Sequence, residues 1–184
     1  MASILGIDTI QNTVGTTAAS IDSSGRMTQP NIPFLICDCT GHSGNITPSG
    51  FTGKVPFQNV LSSRGIVLDT STNLFTVPVT GFYNISAAVR LNTDYTYMYW
   101  IMDDRTDSSS PARVQGNKLV LGHGGGTSFT TAVGSVLLNL QTGKNYGMSV
   151  ASNNGAAVAM NNEQTWMDIH LSLIHISEPT RLRH

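Results

Sequence analysis

Residues 65–91 constrain the fold of this chain more than any other segment. They contain a polar turn, an alternating segment at 74–77, a Pro-Val-Thr-Gly turn at 78–81 and a second alternating segment at 82–87. Alternation of apolar and polar side chains between turn signals is typical of strands that bury one face. The pattern predicts two short strands that pair like a β-hairpin.

Further strand-sized segments follow the same pattern along the chain. They are separated by polar or glycine-containing turns and lie at residues 32–39, 55–61, 95–102, 130–140, 146–151 and 165–171. Short strands at fairly regular spacing are typical of an all-β sandwich. The sequence predicts such a sandwich over residues 32–171.

Charge and hydropathy exclude two classes of partner. Only 11% of the residues are charged and the formal net charge is -1, so the chain has no basic stripe to bind nucleic acid by counterion release. No apolar run approaches the ~18 residues of a membrane helix, and the first residues lack the basic and apolar regions of a signal peptide. We predict no nucleic-acid partner and no membrane insertion.

The two cysteines, Cys37 and Cys39, are separated by one residue. On a strand their side chains share one face and run parallel, which is poor geometry for a disulfide. Two thiols alone do not make a zinc cage. We predict that both are small buried apolar residues in a protein that folds in a reducing cytoplasm.

Residues 75–83, Phe-Thr-Val-Pro-Val-Thr-Gly-Phe-Tyr, resemble the F-T-x-P-x-x-G-x-Y signature of the C1q-like domain, which is related in fold to the tumour necrosis factor (TNF) family. The resemblance extends over residues 32–171, although Lys144 stands where the family has an acidic residue. It implies a C1q/TNF-like jelly-roll sandwich whose last strand lies beside its first. It also implies a homotrimer that binds other molecules and catalyses nothing.

Residues 1–31 are poor in aromatic residues and rich in Thr, Ser, Ala and Gly. The composition predicts an extended arm with short strands that a partner orders. The opening Met-Ala-Ser and the segment Ile-Asp-Ser-Ser-Gly-Arg at 21–26 resemble the start of marine phage tail-fibre and virion proteins. The resemblance implies a virion protein, made in the host cytoplasm, whose arm attaches to other virion proteins.

The last residues, 171–181, resemble one translated reading frame of a transposase sequencing adapter. This implies a metagenomic source and an artefactual tail at 172–184, which we exclude from functional reasoning. The alternative is a genuine basic tail that contains Arg181, Arg183 and His184.

Catalytic residues are scarce before this tail. His42, His123 and His170 lie in glycine-rich loops or near the end of the last strand, and no nucleophile elbow or Cys–His arrangement is evident. The glycine-rich segment 122–126 lacks the Lys-Ser/Thr ending of a phosphate loop. We predict no enzymatic activity and no organic cofactor.

Asp103, Asp104 and Asp107 form a small acidic cluster in a predicted polar loop, with Arg105 among them. Oxygen-rich loops can hold calcium, and some members of the resembled family bind it near the trimer top. The spacing lacks the regular ligand order of a dedicated calcium loop. A calcium site and an ordinary solvated loop therefore remain open.

The segment 95–102 is the most aromatic strand, and both of its faces are apolar or amphipathic. One face should pack into the sandwich, whereas the other needs a cover, because an exposed aromatic row is sticky. We predict a trimer interface on this strand, with an ordinary core role or a carbohydrate-stacking platform as alternatives. The predicted interface residues are Tyr95, Tyr97, Tyr99 and Ile101.

These observations predict a phage tail-fibre or head-fibre protein. The arm 1–31 would attach it, and the trimeric head 32–171 would bind a host-surface glycan or protein through the loops 40–53, 103–117, 122–127 and 152–162. One alternative is a purely structural capsid decoration or fibre-tip protein. Another is a secreted C1q-like lectin.

Overall fold

The chain forms two compact units, Met1–Ile32 and Pro33–His184. The structure is a computed structural model that describes residues 8–11, 13–48, 53–93, 98–105, 112–114, 120–122, 129–153, 157–160 and 162–172. The predicted artefactual tail lies outside these residues except for Ser172. Within the described part, no helix has the length and apolarity that crossing a bilayer requires.

The first unit is an antiparallel sheet of three strands: β1 (Thr9–Gln11), β2 (Thr17–Ile21) and β3 (Met27–Thr28). Its tight turn between β2 and β3 is organised by Asp22, whose carboxylate accepts the backbone N–H groups of Ser24 and Arg26 at 2.9 Å each. The Arg26 guanidinium also pairs with Asp22 at 2.7 Å. Such Asx turns replace backbone hydrogen bonds with side-chain ones.

The second unit contains the other strands. They are β4 (Phe34–Asp38), β5 (Asn45–Ile46), β6 (Asn59–Arg64), β7 (Val67–Asp69), β8 (Leu74–Thr76), β9 (Gly81–Leu91), β10 (Met98–Asp104), β11 (Ala112–Arg113), β12 (Val120–Gly122), β13 (Thr130–Leu140), β14 (Tyr146–Ser152), β15 (Val158–Ala159) and β16 (Trp166–Leu171). A 3-10 turn, Asn162–Gln164, precedes β16.

These strands build two main antiparallel sheets. The five-stranded sheet has the order β13-β9-β16-β4-β6. The six-stranded sheet has the order β11-β10-β14-β8-β7, with β12 also pairing with β10. Strands β5 and β15 form a separate pair. The last strand, β16, lies between β4 and β9, which confirms that the closing strand lies beside the first strand of the head.

The core of this unit is formed by alternate residues of both main sheets. Met98, Trp100 and Met102 on β10 are fully buried, as predicted for one face of the aromatic strand. Val55 and Phe57 are also buried, but they precede β6 rather than lie in it. The predicted strand at 55–61 therefore begins only at Asn59, and Val55 is held by a hydrogen bond from its N–H to the Met148 carbonyl.

The hairpin predicted for β8 and β9 is wrong, although both strands exist. Strand β8 pairs with β7 and β14, whereas β9 pairs with β13 and β16, so the two strands belong to different sheets. Pro78 follows β8 and has no N–H to continue a ladder. The Tyr83 hydroxyl donates to the Val79 carbonyl at 2.9 Å and fixes this crossing between the sheets.

The hairpin in this region joins β7 to β8. Asp69 organises its turn by accepting the Ser71 backbone N–H at 2.9 Å, the Ser71 hydroxyl at 2.6 Å and the Thr72 hydroxyl at 2.8 Å. Asn73 completes the turn at φ 57, a left-handed conformation that asparagine tolerates. The hydroxyl hydrogen bonds lower the pKa of Asp69 to about 2.

The pKa shift of Asp69 makes the stabilising effect of its carboxylate depend on pH. A lowered folded-state pKa stabilises the fold above the unfolded pKa near 3.8, and this contribution is lost as the pH falls through about 2. We expect Asp69→Asn to lower the melting temperature near neutral pH and to approach the parent only below about pH 2, where Asp69 is protonated in both the folded and the unfolded protein. Melting curves of both proteins between these limits test this; a difference that persists at the acid limit contradicts it.

Candidate subunit-contact and ligand-contact surfaces

The outer face of the five-stranded sheet exposes a group of large apolar side chains. Strand residues alternate between the core and this face, and several outward positions carry apolar side chains instead of polar ones. Val133 is 57% exposed, and the others are also at the surface. We call this group the contact face: Ile36, Phe82, Val133, Leu137 and Trp166.

Strand register places these residues in rows across the sheet. Val133 on β13 pairs with Ala88 on β9, and Ala88 pairs with Trp166 on β16. Side chains that are directly opposite in an antiparallel pair lie about 5 Å apart at their Cβ atoms. The three side chains therefore form one apolar row across three strands.

Polar and charged groups interrupt the contact face without dominating it. Asp168 and His170 lie on β16, with 3.9 Å between Asp168 Oδ1 and His170 Nδ1. The Arg64 guanidinium lies 5.4 Å from the centre of the Phe34 ring. These groups give the face a few directional contacts among its apolar positions, as in the polar rim of a protein interface.

The outer face of the six-stranded sheet differs, because its central positions are covered within the subunit. Ile101 on β10 is only 2% exposed, and Ser149 and Ala151 on β14 are also buried. Ile101 therefore offers almost no surface to another subunit. Tyr99 is half-buried and pairs with Ala151.

Tyr95 and Tyr97 lie outside the described residues, so the interface on the aromatic strand 95–102 stays a prediction.

We did not predict the contact face from the sequence, although the segment 130–140 contains its signal. On β13, Ala132 and Val136 lie on the buried face, whereas Val133 and Leu137 lie on the exposed face. This strand therefore has apolar residues on both faces.

Asp103 lies in a buried polar cluster and not in a solvated loop, because β10 extends through Asp104. Asp103 is fully buried. Its Oδ2 accepts hydrogen bonds from Arg105 Nη2 at 2.7 Å and from the Ser149 hydroxyl. Arg105 Nη2 also lies 2.7 Å from Ser149 Oγ. The cluster ties the end of β10 to β14.

Asp104 points to the opposite side of the strand and pairs with Lys144 at 2.6 Å. This hydrogen bond raises the pKa of Lys144. Asp103 thus pairs with Arg105, whereas Asp104 pairs with Lys144. The structure does not bring these two carboxylates together as calcium ligands, and Asp107 lies outside the described residues. Among the residues described, no group of three His, Cys, Asp or Glu side chains could hold a metal ion.

Cys37 and Cys39 are both free and fully buried, as the sequence predicted. Burial raises the pKa of both thiols well above its usual range, and the neighbouring thiol and carboxylates add to the effect. A thiol that does not ionise is a poor nucleophile. Both cysteines therefore act as core residues.

Two of the predicted ligand loops come together at the pair of short strands β5 and β15. Ile46 pairs with Val158 and Asn45 with Ala159, which joins the predicted loop 40–53 to the predicted loop 152–162. The Asn162 amide also donates to the His42 carbonyl at 3.0 Å. Asn45 and Ala159 are exposed, so the joined segments present a surface that a ligand can reach.

The comparisons with known proteins identify the fold. No protein-family model matches the chain, and no curated protein sequence matches it. The solved structure of murine APRIL at pH 5.0 is 11% identical, with a TM-score of 0.55 over 77% of this chain and 99% of that one. The Eiger TNF structure from S. frugiperda is 13% identical, with a TM-score of 0.56 over 82% of this chain and 98% of that one. The second unit is therefore a TNF/C1q-like jelly roll.

Proposed function

We propose that this chain is a virion appendage protein of a phage, either a tail-fibre or a head-fibre subunit. Its jelly-roll head assembles into a homotrimer and binds a glycan or protein on the host surface without catalysing a reaction. The first unit attaches the head to other virion proteins. The fold and the phage-like opening of the sequence support this proposal.

The contact face is the observation that carries the proposed assembly of subunits. Val133, Leu137 and Trp166 leave apolar surface exposed on the centre and edge of one sheet, and contiguous exposed apolar surface marks interaction sites. The matching positions on the six-stranded sheet are already covered. We therefore assign the main subunit contact to the five-stranded sheet. Tyr99 on β10 would make at most a smaller contact.

Trimerisation would give the head its binding strength. The joined loops at β5 and β15 present one surface per subunit, and a trimer presents three of them in fixed positions. Weak sites that are held together gain avidity because the second and third contacts are intramolecular. The loops thus need only modest affinity for a repeated surface ligand such as a glycan.

We expect the full chain to have the solution mass of a trimer. Light scattering coupled to gel filtration, at several protein concentrations, measures this mass directly. The apolar area of the contact face would be buried in the trimer, so the mass should not fall on moderate dilution. A monomer at every concentration contradicts the proposed assembly.

Binding to arrays of bacterial surface glycans and to whole bacteria tests the receptor part of the proposal. Trimeric protein that binds a surface ligand supports a host-recognition role. Trimeric protein that binds none, but that co-purifies with assembled phage particles, supports the purely structural alternative.

A further inference from the structure

Arg90 lies near the end of β9, on the outer face of the five-stranded sheet, and two neighbours hold its guanidinium in place. The central carbon of the guanidinium lies 3.5 Å from the centre of the Phe129 ring. Its Nη1 donates a hydrogen bond to Oε1 of Gln164, in the 3-10 turn before β16. A planar guanidinium that stacks on a ring and also bonds to an amide is fixed in orientation.

The charge of Arg90 is not shared with a carboxylate in the part of the chain that the structure describes. The ion pairs found there involve other residues. Glu163 is exposed and adjacent to Gln164, whereas Asp38 lies on β4, two strands away from β9 in the sheet. Asp94 lies outside the described residues. Among the described groups, Arg90 is therefore a fixed cation without an anion.

The terminal nitrogens of Arg90 are the atoms that a ligand can reach. Its Nε is buried and has no hydrogen-bond partner, although the residue as a whole is partly exposed. One N–H of Nη1 is used by Gln164, which leaves the second N–H of Nη1 and the Nη2 group. This pair of donors matches the two oxygens of one carboxylate. Because the guanidinium is already fixed, binding a carboxylate would order no further side chain there.

Arg90 also lies at the same end of the head as the joined loops at β5 and β15. The residues that follow it connect directly to these loops: Leu91 forms a bridge with Met160, and the Asn92 N–H donates to the Ala159 carbonyl at 2.9 Å. The Phe129 ring is 46% exposed beside the guanidinium. An exposed ring gives the C–H face of a sugar an apolar surface, so the ring, the cation and the polar loops together suit an acidic sugar.

We propose that Arg90, Phe129 and Gln164 form a carboxylate-binding subsite, and that the host-surface ligand is an acidic glycan. Arg90 binds a carboxylate of the glycan through its terminal nitrogens, Gln164 holds the guanidinium, and Phe129 packs against the sugar ring. This inference rests on the proposed host-surface binding and names the class of its ligand. A trimer would present three such cations, which suits a polymer that repeats its carboxylates.

Binding of the full chain to carboxylated oligosaccharides, each printed on an array beside its methyl ester, tests this subsite. The ester keeps the sugar and removes the negative charge. At least one acid should bind about tenfold or more tightly than its ester, because a bidentate hydrogen bond between two charged groups is lost. We call this ratio of affinities the acid preference.

Arg90→Gln should abolish the acid preference, and Lys144→Gln is the matched control. Lys144 carries the same charge in the turn after β13, whereas Phe129 directly precedes that strand, so K144Q should keep the acid preference of the parent. Glu163→Gln removes a nearby negative charge and should bind the acids at least as tightly as the parent does. Phe129→Ala, which removes an exposed side chain, repeats the test if R90Q does not fold, and should lower the acid preference at least about threefold.

Loss of the acid preference in R90Q but not in K144Q, in proteins with the mass of the parent, supports the inference. An equal preference in R90Q and the parent, or a parent that binds acids and esters alike, overturns it and leaves the proposed host-surface binding intact. The same holds for a parent that binds whole bacteria but no glycan. A parent that binds neither removes the proposed host-surface binding as well. If only R90Q loses the trimer, Arg90 is a subunit contact and the inference is also overturned.

Discussion

Replacement of Asp103 by alanine should lower the free energy of unfolding by about 3–5 kcal/mol, the range for removing one partner of a buried ion pair. Asp103 is fully buried, and the side chain of its partner Arg105 is 17% exposed. The substitution would leave the guanidinium without its carboxylate in a site that water barely reaches. It would also remove the acceptor of the Ser149 hydroxyl.

Asp104→Ala is the matched control, because it removes the adjacent carboxylate of the same strand. Asp104 and Lys144 are more exposed, at 22% and 40% of their side chains. Surface ion pairs contribute only about 0–1 kcal/mol, so D104A should be close to the parent. Urea unfolding of the full chain, at one fixed subunit concentration, measures both variants.

Equal and small losses in D103A and D104A would show that the cluster contributes no more than a surface pair. The variant Ser149→Ala separates the two roles of Asp103. If the three groups act as one network, D103A and S149A together should cost less than the sum of the single changes. Strictly additive losses contradict a shared network.

The position of Asp103 shows what local patterns cannot reveal. Three aspartates and an arginine within five residues indicate an exposed acidic loop, which is either a calcium site or an ordinary solvated loop. The burial of Asp103 depends on Ser149, which is 46 residues away. Nothing near Asp103 in the sequence specifies that partner.

The strands themselves were more predictable than their partners. Alternation identified β13 at its observed bounds, Thr130–Leu140, and gave the burial of Cys37 and Cys39. It did not indicate that β8 and β9 belong to different sheets, because a Pro-containing turn can either close a hairpin or carry the chain between sheets. The family resemblance supplied the pairing of the last strand with the first, which periodicity alone does not determine.

The alternation within single strands does not reveal the contact face. A strand with apolar residues on both faces has two explanations, an internal core and an external partner. The aromatic strand 95–102 has the stronger pattern and predicts the interface, yet Ile101 on it is covered within its own subunit. The exposure of Val133 follows only from the pairing and register of all five strands of its sheet, which the sequence of one strand does not contain.

Val133→Glu should convert the proposed trimer into monomers. Val133 lies in the apolar row of Ala88 and Trp166, where a subunit contact would remove the new carboxylate from water. Burial of an unpaired charge costs several kcal/mol, and symmetry repeats the cost at each of the subunit contacts. Light scattering of the full-length variant at micromolar concentration should give the mass of one subunit.

Val67→Glu provides the control, since Val67 on β7 of the other sheet is 64% exposed, much like Val133. This variant should keep the mass of the parent. A trimeric V133E protein contradicts the assigned face, and Tyr99→Glu then tests the alternative contact on β10. If V133E is monomeric but V67E and Y99E are trimeric, and all three keep the circular dichroism of the parent, the subunits meet through the five-stranded sheet. That face would then owe its exposed valine, leucine and tryptophan to assembly.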